Sequence, residues 1–177
     1  MDFIDVVAAR KSVRGYSDKP VEEEKLLKVL EAARLAPSWA NKQCCRYVVV
    51  KDKAKIKELS GNFGWLKQAP IIVVACADPK DSGDRNGMNY YLVDVGISMQ
   101  QLVLAATDLE LGTCWIGAFD EAKVKKALQV PENIKVVAMT PVGYPAQKEG
   151  IGSKLIKTAI GAGKRKPLAE IVHPEKW

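Results

Sequence analysis

Residues 71–77 read Ile-Ile-Val-Val-Ala-Cys-Ala, seven positions without a polar side chain. Side chains of a strand alternate between its two faces, so a strand apolar at every position needs cover on both. The run therefore predicts a central strand with other layers packed above and below it. A second β-rich run spans residues 45–51, and a third spans 134–141 and ends at the turn Gly143-Tyr144-Pro145. Residues 112–119 read as a strand-like turn region.

Helical patterns alternate with these strands. Asp2 caps a short helix through Ala9. Glu22, Glu23 and Glu24 open a second helix, in which Leu26, Leu27, Leu30 and Ala33 recur at helical spacing before Arg34, a charge order that suits the helix dipole. From residue 90 to 109 a wide stripe of Leu92, Val95, Met99, Leu102, Val103 and Ala106 predicts a core helix, and Gly96 leaves room for another helix to approach. Residues 121–128 form a short helix that Asp120 caps and Pro131 closes. No repeat or internal linker interrupts the 177 residues, of which 47% are hydrophobic, so one domain over residues 1–177 is expected.

The composition argues against several chemistries. His173, beside a proline near the end, is the sole histidine, which leaves a Ser-His triad or His-based general acid almost nowhere to sit. Cys44, Cys45, Cys76 and Cys114 make no C-x-x-C pair and have no His partner at zinc spacing. A demanding reaction would then fall to a bound organic cofactor, which the protein positions and polarises. The opening MDFIDVVAAR carries two aspartates and no sustained apolar stretch, so neither a signal peptide nor a membrane span is read there. Cysteines that show no pairing pattern agree with the cytoplasm. Net charge is +6 and the pI about 9.1, but the lysines are spread along helical faces without interleaved aromatics, which argues against nucleic acid.

Arg10-Lys11-Ser12-Val13-Arg14 is the densest cationic cluster near the start. In an extended segment Arg10, Ser12 and Arg14 share one side, where two guanidiniums and a hydroxyl match phosphate oxygens. A solvated basic stretch is the competing reading. A second cluster, Lys164-Arg165-Lys166, follows a Gly- and Lys-rich stretch over residues 147–166, read as a mobile loop with a short helical piece. Neither glycine group there completes a P-loop, and no G-x-G-x-x-G opens a helix.

Five blocks together carry a family resemblance: Arg10-Lys11-Ser12-Val13-Arg14-Gly15-Tyr16, Ala36-Pro37-Ser38-Trp39-Ala40-Asn41-Lys42-Gln43, Gly112-Thr113-Cys114-Trp115-Ile116-Gly117-Ala118-Phe119, Val142-Gly143-Tyr144-Pro145 and Arg165-Lys166-Pro167-Leu168. In order and spacing the chain resembles the FMN-dependent nitroreductase family. The resemblance implies an α+β, three-layer fold whose central, mainly antiparallel sheet is flanked by helices. It also implies an intertwined homodimer with FMN at the interface and a C-terminal arm, here residues 168–177, exchanged between subunits. A frayed tail is the alternative for that segment.

By the same resemblance, Arg10 and Ser12, within the cluster that also holds Lys11, bind the FMN phosphate and ribityl chain, and Arg165 completes the clamp. Arg14 faces the pyrimidine edge of the flavin, where a fixed cation stabilises the negative charge of reduction. Asn62 meets the same edge. Gly117 and Ala118 bring backbone to the central ring, and Pro37, Ser38, Asn41 and Gln43 belong to a loop supplied by the other subunit. Many relatives follow that glutamine with proline and an aromatic residue, whereas this chain has Cys44 and Cys45. These two thiols read as small buried filling or as a redox pair; Trp39 reads as pocket or core, and Trp115 as core.

The expected reaction is ping-pong hydride transfer from NADH or NADPH to small planar electron acceptors such as nitroaromatics, quinones or flavins. The competing functions are a flavin-binding sensor or storage protein, and a basic module for nucleic acid or an acidic partner.

Overall fold

The computed structural model describes residues 1–147, 158 and 161–177. Most of the stretch expected to be a loop with a helical piece, including Gly150 and Lys154, lies outside the described residues.

The strands are β1 (Cys45–Val50), β2 (Ile71–Ala77), β3 (Asp84–Arg85), β4 (Met88–Asn89), β5 (Gly112–Thr113) and β6 (Lys135–Gly143). Four of them make one antiparallel sheet in the order β1-β2-β6-β5, and β3 and β4 form a separate hairpin. The helices are α1 (Phe3–Ala9), α2 (Glu23–Arg34), α3 (Lys53–Ser60), α4 (Tyr90–Asp108) and α5 (Glu121–Leu128).

Strand β2 is buried along its whole length, as its composition requires. Ile71, Val73, Ala75 and Ala77 join a core with Leu26, Val29 and Ala33 of α2 and Val95, Met99, Leu102 and Val103 of α4. Ile72, Val74 and Cys76 face the other way, toward Ile56 and Leu59 of α3 and Val124 of α5. The result is a three-layer α+β sandwich. Each aliphatic side chain buried this way contributes about 1.5–3 kcal/mol, so the alternation along β2 fixes its register against both helical layers.

Several expectations are corrected. Leu27 and Leu92 are 57% and 50% exposed and stand outside the core; Val29 takes the buried place on α2. A Cβ built on Gly96 would meet nothing within 4 Å, so among the described residues no helix occupies the room it leaves. Of residues 112–119 only Gly112–Thr113 is strand; the chain then leaves the sheet and returns through a single Ile116–Met139 bridge. That departure turns Trp115 outward, 40% exposed, where core was expected. Asp120 caps α5 by accepting from the Lys123 N–H at 3.2 Å, but the helix ends at Leu128 because Gln129 adopts left-handed geometry, before Pro131 is reached. Asp2 precedes α1 without a side-chain capping bond.

Large apolar side chains remain exposed on one set of elements: Phe3, Ile4 and Val7 of α1, Leu92, Val93 and Ile97 of α4, and Leu168, Ile171, Val172 and Trp177 at the C-terminus. α1 packs against α4, so two of these groups share a neighbourhood.

Candidate functional site

The N-terminal cationic segment is held against the outer edge of the sheet. Ser12 forms a parallel bridge with Thr113 of β5, and the Val13 N–H donates to the Thr113 carbonyl at 2.8 Å. Val13 is buried in the core under β2's second face, while Lys11 is exposed and Arg10, Ser12 and Arg14 are half-buried. Val13 thus turns inward between Ser12 and Arg14, as period two requires, whereas Lys11, expected on Val13's side, is exposed. Next along the chain, Tyr16 is buried, donates its hydroxyl to the Val13 carbonyl at 2.7 Å, and bridges Pro145; burial pushes its phenol well above the ordinary range.

This anchoring opens a cleft of about 600 Å³ lined by Val7, Ala8, Ala9, Arg10, Lys11, Ser12, Arg14, Ala162, Gly163 and Arg165. The two basic clusters, from opposite ends of the chain, therefore meet. The lining contains four cations and no carboxylate, and none of the four is ion-paired among the described residues. Arg14 Nη1 is buried with no hydrogen-bond partner among the described residues. A buried guanidinium donor left unsatisfied costs about 1–3 kcal/mol or more, so this arrangement calls for an acceptor that the described residues do not supply. A phosphorylated ligand that also carries a polar ring edge fits this donor set.

Asn62 and Ala118 line a second cleft, of about 670 Å³, between the end of α3 and α5. Phe63 and Phe119 give it aromatic walls. Gly117, beside it, is exposed, and a Cβ there would meet nothing within 4 Å, so the backbone is open to approach. Pro37, Ser38 and Gln43 line a third pocket, of about 240 Å³, with Cys45 and Tyr47, and Asn41 is exposed on the same loop. That loop enters β1, at one edge of the sheet, whereas the Ser12 segment lies beyond β5 at the other. Four strand spacings separate the two, roughly 19 Å at about 4.8 Å each. Within one chain, residues 37–43 do not complete the cationic cleft.

Loop 37–43 has a shape of its own. Ala40, Asn41 and Gln43 all have left-handed backbone geometry (φ 46°, 54° and 53°), which disfavours non-glycine residues. Trp39 packs on Tyr90 with ring centroids 5.9 Å apart. The sequence reading overlooked Asp94, a buried carboxylate of α4 that accepts from the Trp39 N–H at 2.8 Å. Its signal is present: a single acid in the otherwise uncharged stretch Tyr90-Tyr91-Leu92-Val93-Asp94-Val95.

The nitroreductase family model matches residues 7–64 and 57–144, so it spans the cationic segment, the loop, β2, α4 and β6. The chain belongs to the nitroreductase family. A nitroreductase family protein from Clostridium novyi NT superposes with a TM-score of 0.81 at 38% identity, over 83% of this chain and 87% of that one. Another from Clostridium difficile 630 gives a TM-score of 0.85 at 31% identity, with both chains covered completely. The FMN reductase (NAD(P)H) of Bacillus subtilis is 31% identical over 179 residues, covering 90% of this chain and 72% of its own length.

In this nitroreductase chain none of the four cysteines is joined in a disulfide. Burial pushes the Cys44 thiol up to about 12 and raises that of Cys45, so both are held as thiols. Among the described residues there is no cluster of His, Cys, Asp and Glu able to hold a metal, and no helix is long and apolar enough to cross a membrane.

Proposed function

We propose that the chain is an FMN-dependent oxidoreductase that transfers hydride from NADH or NADPH to nitroaromatic, quinone or flavin acceptors by a ping-pong sequence. One observation carries the reading: Arg14, with a buried guanidinium nitrogen lacking a partner, lines an acid-free cleft shared with Arg10, Ser12 and Arg165. The name of the Bacillus subtilis relative, an FMN reductase (NAD(P)H), supports the same cofactor pair.

In this reading the residues of one domain, 1–177, divide the work. Arg10 and Arg165 hold the phosphate as paired charge-assisted donors, Lys11 adds positive potential at the rim, and Ser12 reaches the ribityl chain. Arg14 and Asn62 face the pyrimidine edge, and Gly117 and Ala118 offer backbone to the central ring. FMN, when bound, supplies a ring that takes up hydride from the nicotinamide and yields it to the acceptor that follows. Arg14 favours the reduced state because its charge opposes the negative charge that reduction leaves in a site shielded from water.

The site is shared between two copies. Pro37, Ser38, Asn41 and Gln43 come from the partner, which answers the separation of that loop from the cationic cleft across the sheet. The exposed apolar faces of α1, α4 and residues 168–177 are the surfaces a homodimer covers, with the C-terminal segment as an exchanged arm. Four cysteines without a disulfide fit the reducing cytoplasm.

The test is spectroscopic. The purified protein is expected to carry a yellow flavin that NADH or NADPH bleaches anaerobically, and each acceptor class should restore the colour, with parallel double-reciprocal plots in steady state. A colourless protein that takes up no added FMN overturns the proposal.

A further inference from the structure

Asp94 is a carboxylate of α4, 2% exposed, that meets three other segments of the chain. Its Oδ1 accepts from the Trp39 N–H at 2.8 Å, and its Oδ2 lies 3.4 Å from both the Cys44 thiol and the Ser82 hydroxyl. One side chain thus ties the head of loop 37–43, the residue leading into β1, and the segment before the β3–β4 hairpin. A buried polar group is retained only where partners compensate its lost hydration, and these three supply that compensation.

The loop it holds needs holding. Beyond Trp39 the chain passes through three left-handed non-glycine residues within four positions, and Ala40 has no side-chain polar group to offset that geometry. Internal bonds close the turn: the Gln43 N–H donates to Ser38 Oγ at 2.9 Å and the Lys42 N–H to the Trp39 carbonyl at 2.9 Å. They shape the loop but do not attach it to the body of the protein. At the head of the loop the attachment is Asp94 on the backbone side and the Trp39 ring on the other, while at its tail the Arg46 guanidinium donates to the Gln43 carbonyl at 2.8 Å. The ring lies so close to Gly83 that a Cβ there would stand 2.6 Å from three indole carbons.

We infer that Asp94 is a positioning residue: through the Trp39 N–H, with Gly83 leaving the slot for the indole, it sets the pose in which Ser38, Asn41 and Gln43 are presented across the dimer. This rests on the reading that the loop meets FMN in the partner's site. Asp94 itself lines none of the three clefts described above, so its effect is transmitted through the loop backbone.

The test compares Asp94→Ala, Asp94→Asn and Gly83→Ala with Leu102→Ala, a core truncation about two turns further along the same helix. Two quantities are read on the full-length protein: amide exchange of residues 41–43 without flavin, and FMN affinity by fluorescence titration on the folded protein. Asp94→Ala is expected to speed exchange at residues 41–43 and weaken FMN binding about tenfold, the size of a lost hydrogen bond to a charged group. Asp94→Asn, which keeps an acceptor for Trp39, should recover most of both. Gly83→Ala should reproduce the loss from the opposite side of the indole, whereas Leu102→Ala should lower stability and leave both quantities unchanged.

Unaltered loop exchange in Asp94→Ala, or equal FMN loss in Leu102→Ala, overturns the inference. Accelerated exchange with unaltered FMN affinity instead overturns the placement of this loop on the flavin.

Discussion

Ser12 and Thr113 form a parallel bridge at the outer edge of an otherwise antiparallel sheet, the sole parallel pairing among the described residues. Through that bridge the cationic segment at the N-terminus is registered against β5, four residues before Gly117. The proposed anion clamp and the backbone proposed to approach a flavin ring are thereby built on one scaffold.

The closeness of that pairing gives the first prediction. A Cβ on Gly112 would stand 2.8–2.9 Å from the side chain of Val13, which is itself buried. Gly112→Ala is therefore expected to displace the Ser12 segment, costing about 1–3 kcal/mol in urea unfolding and weakening FMN binding in the same protein.

Arg14 gives a prediction about potential. Replacing it by methionine keeps an unbranched side chain and removes the charge, so the bound flavin should become harder to reduce. A spectroelectrochemical titration is expected to place the midpoint of Arg14→Met below that of the wild type; an unchanged midpoint would remove Arg14 from the flavin.

The buried thiols set an alkaline limit on stability. Burial raises Cys44 to about 12 and Cys76 to about 11, from an ordinary 9.0. The folded chain thus keeps protons that the unfolded chain releases, so the contribution is whole below about pH 9 and is lost as pH rises toward 11 and 12. Urea unfolding at pH 10.5 should give a stability on the order of 4 kcal/mol lower than at pH 7.5, about 2 kcal/mol from each thiol. The Cys44→Ala, Cys76→Ala double variant should flatten that slope.

Much of the scaffold is legible in the chain because side-chain period is a local property. The apolar run of β2, the strand ending at Gly143 and the helices α2 and α4 all follow from it. Helix α3 was not read because Lys53, Lys55 and Lys57 leave Ile56 and Leu59 as its apolar signal, although Asp52 caps it by accepting from the Lys55 N–H at 2.8 Å. The β3–β4 hairpin also went unread, although Asn86-Gly87, with φ of 54° and 76°, is the pair such turns favour. Periodicity identified the apolar residues Leu27 and Leu92 but not the surface each would face. A stripe awaiting another molecule has the same spacing as one that meets its own sheet. For the site, the alternation of Arg10, Ser12 and Arg14 was readable locally. The arrival of Arg165 beside them is a long-range contact that only the family resemblance anticipated.

The exposed C-terminal segment yields a prediction about assembly. Leu168, Ile171 and Val172 are 71%, 59% and 52% exposed, which a lone chain gains nothing by keeping. Removing residues 168–177 is expected to shift the protein from dimer toward monomer in sedimentation velocity and to release flavin in parallel. A truncated protein that stays dimeric with full flavin would assign the interface to α1 and α4 alone.

The central claim is that one flavin site takes its cations from one copy and its loop from another. Mixing two defective variants tests this most directly. Arg10→Ala and Asn41→Ala should each bind FMN poorly alone, yet after co-refolding the mixed dimer holds one site with both residues intact. The account predicts recovered FMN binding in the mixture, approaching one flavin per mixed dimer. Binding in the mixture no better than the average of the two variants would contradict it, since a site built within a single chain cannot be repaired by a partner.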